Sequence, residues 1–153
     1  MAVIALRPVA PSDVQIFYEH QADEVAAHMA AFTSRDRAAH FDHWAKRFQG
    51  DDSGIVRTVT VDGAVAGNVM SWPDAEVGRL LGYWIGREFW GQGVATAAVG
   101  AFLVEVRERP IYAFVAAHNG GSQRVLEKNG FTKEWPVPHV GPDGIAEFLF
   151  VLN

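Results

Sequence analysis

The chain has 153 residues, 49% of them hydrophobic and 20% charged, a balance that fits one globular domain over residues 1–153 and excludes a disordered chain. A formal net charge of −5 argues against non-specific nucleic-acid binding, and the lack of cysteine removes disulfides, thiolate nucleophiles and cysteine zinc sites. No apolar run reaches the ~18 residues of a membrane span, and the start Met1-Ala-Val-Ile-Ala-Leu-Arg7-Pro8 lacks the basic head of a secretory signal, so a soluble cytoplasmic protein with no membrane partner is expected.

Val3 to Leu6 reads as a first strand. Pro11-Ser12-Asp13 opens a helix whose apolar stripe is Val14, Phe17 and Tyr18. A second helix follows Ser34, a good N-cap, with Phe41, Trp44, Ala45 and Phe48 at i, i+3, i+4, i+7 spacing. Gly50-Asp-Asp-Ser-Gly54 reads as a loop. Strands over Ile55–Val61 and Ala64–Trp72 flank Asp62-Gly63, a strong two-residue hairpin turn, and Pro73-Asp74 ends the second of them. Arg79–Ile85 is the next strand.

A glycine-rich loop then leads into an almost wholly apolar helix from about Val94 to Glu108. Glycines there let backbone N–H groups approach a ligand, and a helix N-terminus favours an anion, so this segment points to a phosphorylated cofactor. A strand over Pro110–Ala117 follows, then Asn119-Gly-Gly-Ser122, a short helix, and Gly130-Phe131. The last pair fits a Schellman cap, with Gly130 at C′ and Phe131 at C″ touching Leu126. Thr132–Val137 and Ile145–Leu152 read as final strands, separated by the turn Gly141-Pro-Asp-Gly144. The pattern is an α/β sandwich of about seven strands in one layer with about four helices.

The two motifs Trp90-Gly91-Gln92-Gly93-Val94-Ala95 and Asn119-x-x-Ser122-x-x-Val-Leu-Glu-Lys-x-Gly-Phe131, in this order along the chain, resemble the GNAT family of acyl-CoA-dependent N-acetyltransferases. More narrowly they resemble the branch that includes ribosomal-protein N-terminal acetyltransferases. Trp90 departs from the Gln or Arg usual at its place. The resemblance covers Arg79 to Phe131 by motif and the rest by length and element order. It implies a mixed sheet in which Arg79–Ile85 and Pro110–Ala117 form a splayed parallel pair, with the acyl-pantetheine in the gap. It implies acetyl-CoA as co-substrate and no metal.

The pyrophosphate would then meet the N–H groups of Gln92 to Thr96, with Trp90, Gly91 and Gly93 shaping the loop. By analogy, backbone groups of Trp84, Ile85 and Gly86 pair with the pantetheine, and one N–H faces the oxyanion. Arg124 and Lys128, beside Arg87 and Lys133, supply local positive charge. The resemblance places Asn119 and Ser122 near the cofactor, Ser122 bonding the sulfur. Many members carry a tyrosine acid four positions beyond; this chain has Leu126. Helix N-capping by Ser122 is the competing reading, and the two roles can coexist. General-base candidates are Glu76, Asp74, His28 and Glu147, each equally readable as a surface charge. His40 and His43, i and i+3 on one helix, carry no metal signature and suit a solvated face or the acceptor pocket. Trp44, Trp72, Met29 and Phe32 suit either an apolar acceptor pocket or core.

The acceptor would be an amine on a small molecule or a peptide N-terminus, with a homodimer left open. Two other classes compete. A dinucleotide oxidoreductase fits poorly, because Thr96 stands at the third glycine position and Ala117-His118 offers no acidic ribose partner. A non-catalytic acyl-CoA sensor on the same fold is the alternative.

Overall fold

A computed structural model describes residues 2–48 and 54–153, the side chains of residues 47 and 48 excepted. Eight strands among them form one open sheet: β1 (Ile4–Arg7), β2 (Ile55–Val61), β3 (Ala64–Asp74), β4 (Gly78–Ile85), β5 (Ile111–Ala116), β6 (Thr132–Lys133), β7 (His139–Val140) and β8 (Ala146–Leu152). The order across the sheet is β1-β2-β3-β4-β5-β8-β6, with β7 also pairing β8. The helices described are α1 (Asp13–Ala22), α2 (Glu24–Ala30), α3 (Arg37–Phe48), α4 (Val94–Glu105) and α5 (Gly120–Lys128).

Helices cover both faces of the sheet, and the two-residue period of the strands sorts side chains between them. On β2, Val59 and Val61 join the main core with Val99 and Phe102 of α4, while Val56 faces the opposite way, against Val14, Phe17 and Trp44 of α1 and α3. α4 buries Val94, Ala98, Val99 and Phe102 and leaves an apolar outer face: Ala97 and Ala101 face out, and Val104 stands 68% exposed. Asp13 ties α1 to the sheet. Its carboxylate accepts bonds from Arg7 at 2.7 Å, the Ala10 N–H at 2.8 Å and the Thr58 hydroxyl at 2.8 Å. Burial alone would raise its pKa, but these three donors and the Arg7 charge outweigh it and hold the carboxyl below the usual range. That contribution is complete above the unfolded value of ~3.9 and is lost as pH falls through the folded value.

The one parallel contact positions the site. β4 and β5 pair only at Arg79–Ile111 and Leu80–Tyr112. Beyond that each strand follows its outer neighbour, β4 held by β3 as far as Gly67–Ile85 and β5 by β8 as far as Ala116–Glu147. The two therefore part, and a gap opens in the sheet, as the splayed pair requires.

The hairpin turn is as expected, Asp62 and Gly63 both lying at positive φ (50° and 84°). Two expectations are corrected and one helix is added. Ser34 does not cap α3: its hydroxyl donates to Gln21 O at 2.6 Å, and Asp36 instead accepts the Ala39 N–H at 2.8 Å. The expected strand Thr132–Val137 shortens to β6, and β7 forms only after Pro136 and Pro138, which lack the N–H a ladder needs. α2 had no strong sequence signal, being seven residues long and alanine-rich. The expected loop residues 50–53 and the Phe48 side chain lie outside the described residues.

Candidate active site

The chain leaves β4 through one 3-10 turn, Arg87–Phe89, and enters the glycine loop. Gly93 sits at φ 74°, a left-handed conformation that costs glycine little, and it begins α4 with no side-chain cap. The N–H groups of the first helical turn therefore have no intrahelical partner, and they stand at the positive end of the helix dipole. A Cβ built on Gly93 meets nothing within 4 Å, so the space before them is open. The Trp90 indole donates to Ile85 O at 2.9 Å and pins the loop to the end of β4. Gln92 is exposed, its amide donating to Glu88 O at 3.1 Å, and its side chain is not part of the cleft wall.

The first turn of α5 lies on the other side of the gap. Asn119 Oδ1 accepts the Ser122 N–H at 3.1 Å, so this helix start is capped from within. Its far end closes as expected: the Gly130 N–H donates to Glu127 O at 3.0 Å and the Phe131 N–H to Leu126 O at 3.1 Å, with Leu126 and Phe131 both in the core. Ser122 does not itself cap the helix. Its hydroxyl meets the phenol of Tyr83, which also donates to Ser122 O at 3.2 Å. Burial, offset in part by the bond with Ser122, pushes the Tyr83 phenol up to about 12. Tyr83 was not singled out from sequence. The available signal was its place between Leu81 and Ile85 on the core face of a strand, where a buried phenol must find a partner.

Between these helix starts lies a cleft of about 760 Å³. The splay and both motifs line it: Trp84, Ile85, Trp90, Gly91, Gly93, Val94, Ala95, Thr96, Asn119, Ser122, Arg124 and Lys128 among the expected residues. α2 adds Ala26, Met29 and Ala30 to its wall. The Gly86 N–H donates to Ala66 O at 2.8 Å. In an antiparallel ladder the next pair facing β3 is Trp84, so of the three backbone positions expected to meet a pantetheine only Ile85, with Tyr83 before it, turns toward the gap. Arg87 is bridged to Asp23 at 3.0 Å, and Lys133 lies 4.0 Å over the Phe148 ring.

Asp74 ends β3 and Glu76 lies in the β3–β4 turn, at the end of β4 where the pair is still closed; Asp74 Oδ1 accepts the N–H groups of Glu76 and Val77, both at 2.9 Å. Neither lines the cleft. Glu147, on β8, is also off the cleft wall; burial and then the Asp143 charge raise its carboxyl. His28 stacks on His118, which lines the cleft mouth, with 5.3 Å between ring centroids, and His118 Nε2 lies 2.8 Å from His28 O. His40 is not on a solvated face: it is 2% exposed, with Nε2 2.9 Å from Val14 O. His43 packs edge-on against Trp44, and Trp44 is core. Phe32 meets the Trp84 ring edge-on at 5.2 Å, and Trp72 covers Gly82. Among the described residues no group of three or more His, Asp or Glu is placed to hold a metal, and no helix is long and apolar enough to cross a membrane.

By sequence, no curated protein matches the chain. Solved structures share its fold. Spermidine N-acetyltransferase from Vibrio cholerae, in complex with CoA and spermine, superposes with a TM-score of 0.80 at 14% identity, over 97% of this chain and 94% of that one. YncA from Salmonella typhimurium, described as a putative acetyltransferase with its cofactor acetyl-CoA, does so with a TM-score of 0.78 at 18% identity, over 98% and 93%. RimL, a ribosomal L7/L12 alpha-N-protein acetyltransferase in complex with CoA, follows with a TM-score of 0.79 at 16% identity, over 97% and 93%. At such identities the likeness is one of fold. The acetyltransferase (GNAT) domain model matches residues 4–132, and with the splayed pair and both motifs in place the chain belongs to the GNAT acetyltransferase family.

Proposed function

We propose that the chain is an acetyl-CoA-dependent N-acetyltransferase that moves the acetyl group directly to a primary amine of a small molecule or a protein N-terminus. The observation that carries the reading is the cleft at the β4–β5 splay, bordered by the uncapped start of α4 on one side and by Ser122 on the other. The cofactor fits these residues. Free N–H groups after Gly93, with open space before them, suit a pyrophosphate, and Arg124 and Lys128 add charge. The gap-facing backbone of Tyr83 and Ile85 suits the amide groups of a pantetheine, as an added strand would.

When bound, acetyl-CoA supplies a thioester carbonyl for the amine to attack. The amine forms the new C–N bond, the C–S bond breaks, and its electron pair leaves on sulfur. The chain's part is to orient and to stabilise charge. An N–H of the β4 edge serves the carbonyl oxygen. Ser122 donates a hydrogen bond to the departing sulfur. A free thiol has pKa ~8.5, so the thiolate needs only modest help near neutral pH.

A wall drawn from α2 as well as from α4 and α5 supports two substrates meeting in the gap, with α2, Trp84 and the Phe32 packed on it on the amine side. A lysine amine of pKa ~10.4 is neutral in roughly one molecule in 2,500 at pH 7, an α-amino group of pKa ~7.7–8.0 in about a tenth. Among the described residues no carboxylate lines the cleft to strip a lysine, which favours the less basic amine. The test is thiol release from acetyl-CoA against N-terminal peptides, polyamines and aminoglycosides, with mass-spectrometric mapping of the product. Release with one class, at an α-amino or small-molecule amine, is expected. Binding of acetyl-CoA without release on any amine would make the chain an acyl-CoA sensor, and acetylation mainly of internal lysines would overturn the acceptor assignment.

A further inference from the structure

Tyr83 and Ser122 are 39 positions apart in sequence and belong to opposite walls of the cleft, one on β4 and one in the first turn of α5. The strands between them have parted, so this contact bridges the opening itself. Tyr83 has two acceptors on one residue, the carbonyl oxygen and the hydroxyl of Ser122. We infer that Tyr83 is the positioning residue for Ser122, holding its hydroxyl at the cleft wall and freeing its proton to face the sulfur as negative charge develops there. The inference rests on the function proposed above and adds a residue to it.

The two acceptors permit this without moving a heavy atom. With no charge in the cleft, Ser122 Oγ–H donates to the phenol oxygen and the phenol O–H donates to Ser122 O. With charge on sulfur, Ser122 turns its proton to the sulfur, and Tyr83 turns its own from the carbonyl to Ser122 Oγ. Hydrogen bonds in such a chain polarise and strengthen one another. The buried phenol, pushed up to about 12, stays protonated throughout and acts only as a donor. No proton leaves Tyr83 or Ser122: the C–S pair goes to sulfur, the ammonium formed on attack loses its proton to water, and the thiolate takes one from water. Without the phenol, the serine hydroxyl is free to turn to backbone acceptors of its own helix start, as serines there commonly do.

A double-mutant cycle in kcat tests the coupling. Tyr83→Phe keeps the ring and removes one hydroxyl, so kcat should fall about 3–10-fold, with the KM for acetyl-CoA within about twofold. In a Ser122→Ala background the same change should cost no further kcat, because the group it positions is gone. A purely structural tyrosine would give equal losses in both backgrounds, and that result overturns the inference, as does full kcat in Tyr83→Phe. As a second variant, Tyr83→fluorotyrosine keeps the shape and strengthens the donor. It should hold or raise kcat, and a loss matching Tyr83→Phe overturns the inference. Melting curves accompany each variant. Wild type that releases thiol while the cycle shows no coupling sinks this inference alone; wild type that binds acetyl-CoA and releases none sinks the proposed function with it.

Discussion

Two helix starts border the same cleft, and they are finished in opposite ways. α4 begins at Gly93 with no side-chain cap, its first N–H groups aimed at open space, whereas α5 begins at Asn119, whose side chain accepts the Ser122 N–H at 3.1 Å. An uncapped helix end is ordinarily a cost of about 1 kcal/mol, and a chain retains it where a ligand completes the cap. A capped end has no such vacancy and can instead hold a side chain still. In the reading proposed here α4 is therefore the end that binds and α5 the end that positions.

The largest effect expected from breaking this contrast is at Gly93. Gly93→Val puts a β-branched residue at φ 74°, where strain alone costs about 1–3 kcal/mol, and sets methyl groups before the free N–H groups. Loss of acetyl-CoA binding is expected by calorimetry, with circular dichroism showing the variant folded. Normal binding by a folded variant would reduce Gly93 to a turn residue and remove the distinction between the two ends.

Completing the α4 cap with ligand should be nearly as visible. Acetyl-CoA at 100 times Kd should stabilise the wild type by about 2.7 kcal/mol, and NAD should leave the melt unchanged. A shift with NAD and none with acetyl-CoA would break the reading of this loop.

At α5 the expected changes are in rate. Ser122→Ala should lower kcat roughly 10–100-fold with cofactor affinity little changed, since a hydrogen bond to a charged group is commonly worth about 1.5–3 kcal/mol. Unchanged kcat would leave the serine no part in the chemistry. The smallest effect is at the cap: Asn119→Ala should cost about 1 kcal/mol in chemical denaturation, and Asn119→Ser should restore most of it. Equal stability of all three forms would show that α5 is no more finished than α4.

Much of this is legible in the sequence where a local rule acts. Asp62-Gly63 demands a hairpin and Gly130-Phe131 a helix stop, because each depends only on backbone angles and donors within a few residues; at the start of α5 the sequence offers Ser122 as the cap, and Asn119 takes that place. The glycine loop and the second motif are legible for the same reason, and both line the cleft. Where the competing local signals were close, sequence misassigned them: Ser34 and Asp36 are both good caps, and the choice fell to Asp36 once Gln21 O took the serine hydroxyl.

Other features arise from distance in the chain, which no window of residues contains. His40 has the spacing of a surface histidine, yet α1 closes over it and Val14 O receives its ring. Glu76 is only three residues from β4's paired stretch in sequence, but it lies at the closed end of the splay, away from the cleft. The sequence by itself determined the two motifs, the hairpin and the C-terminal stop of α5, since these are backbone chemistry at short range. The tertiary structure alone decided where the sheet opens and that Tyr83 meets Ser122 there, because β3 and β8 draw β4 and β5 apart and the contact between residues 39 positions distant spans that parting.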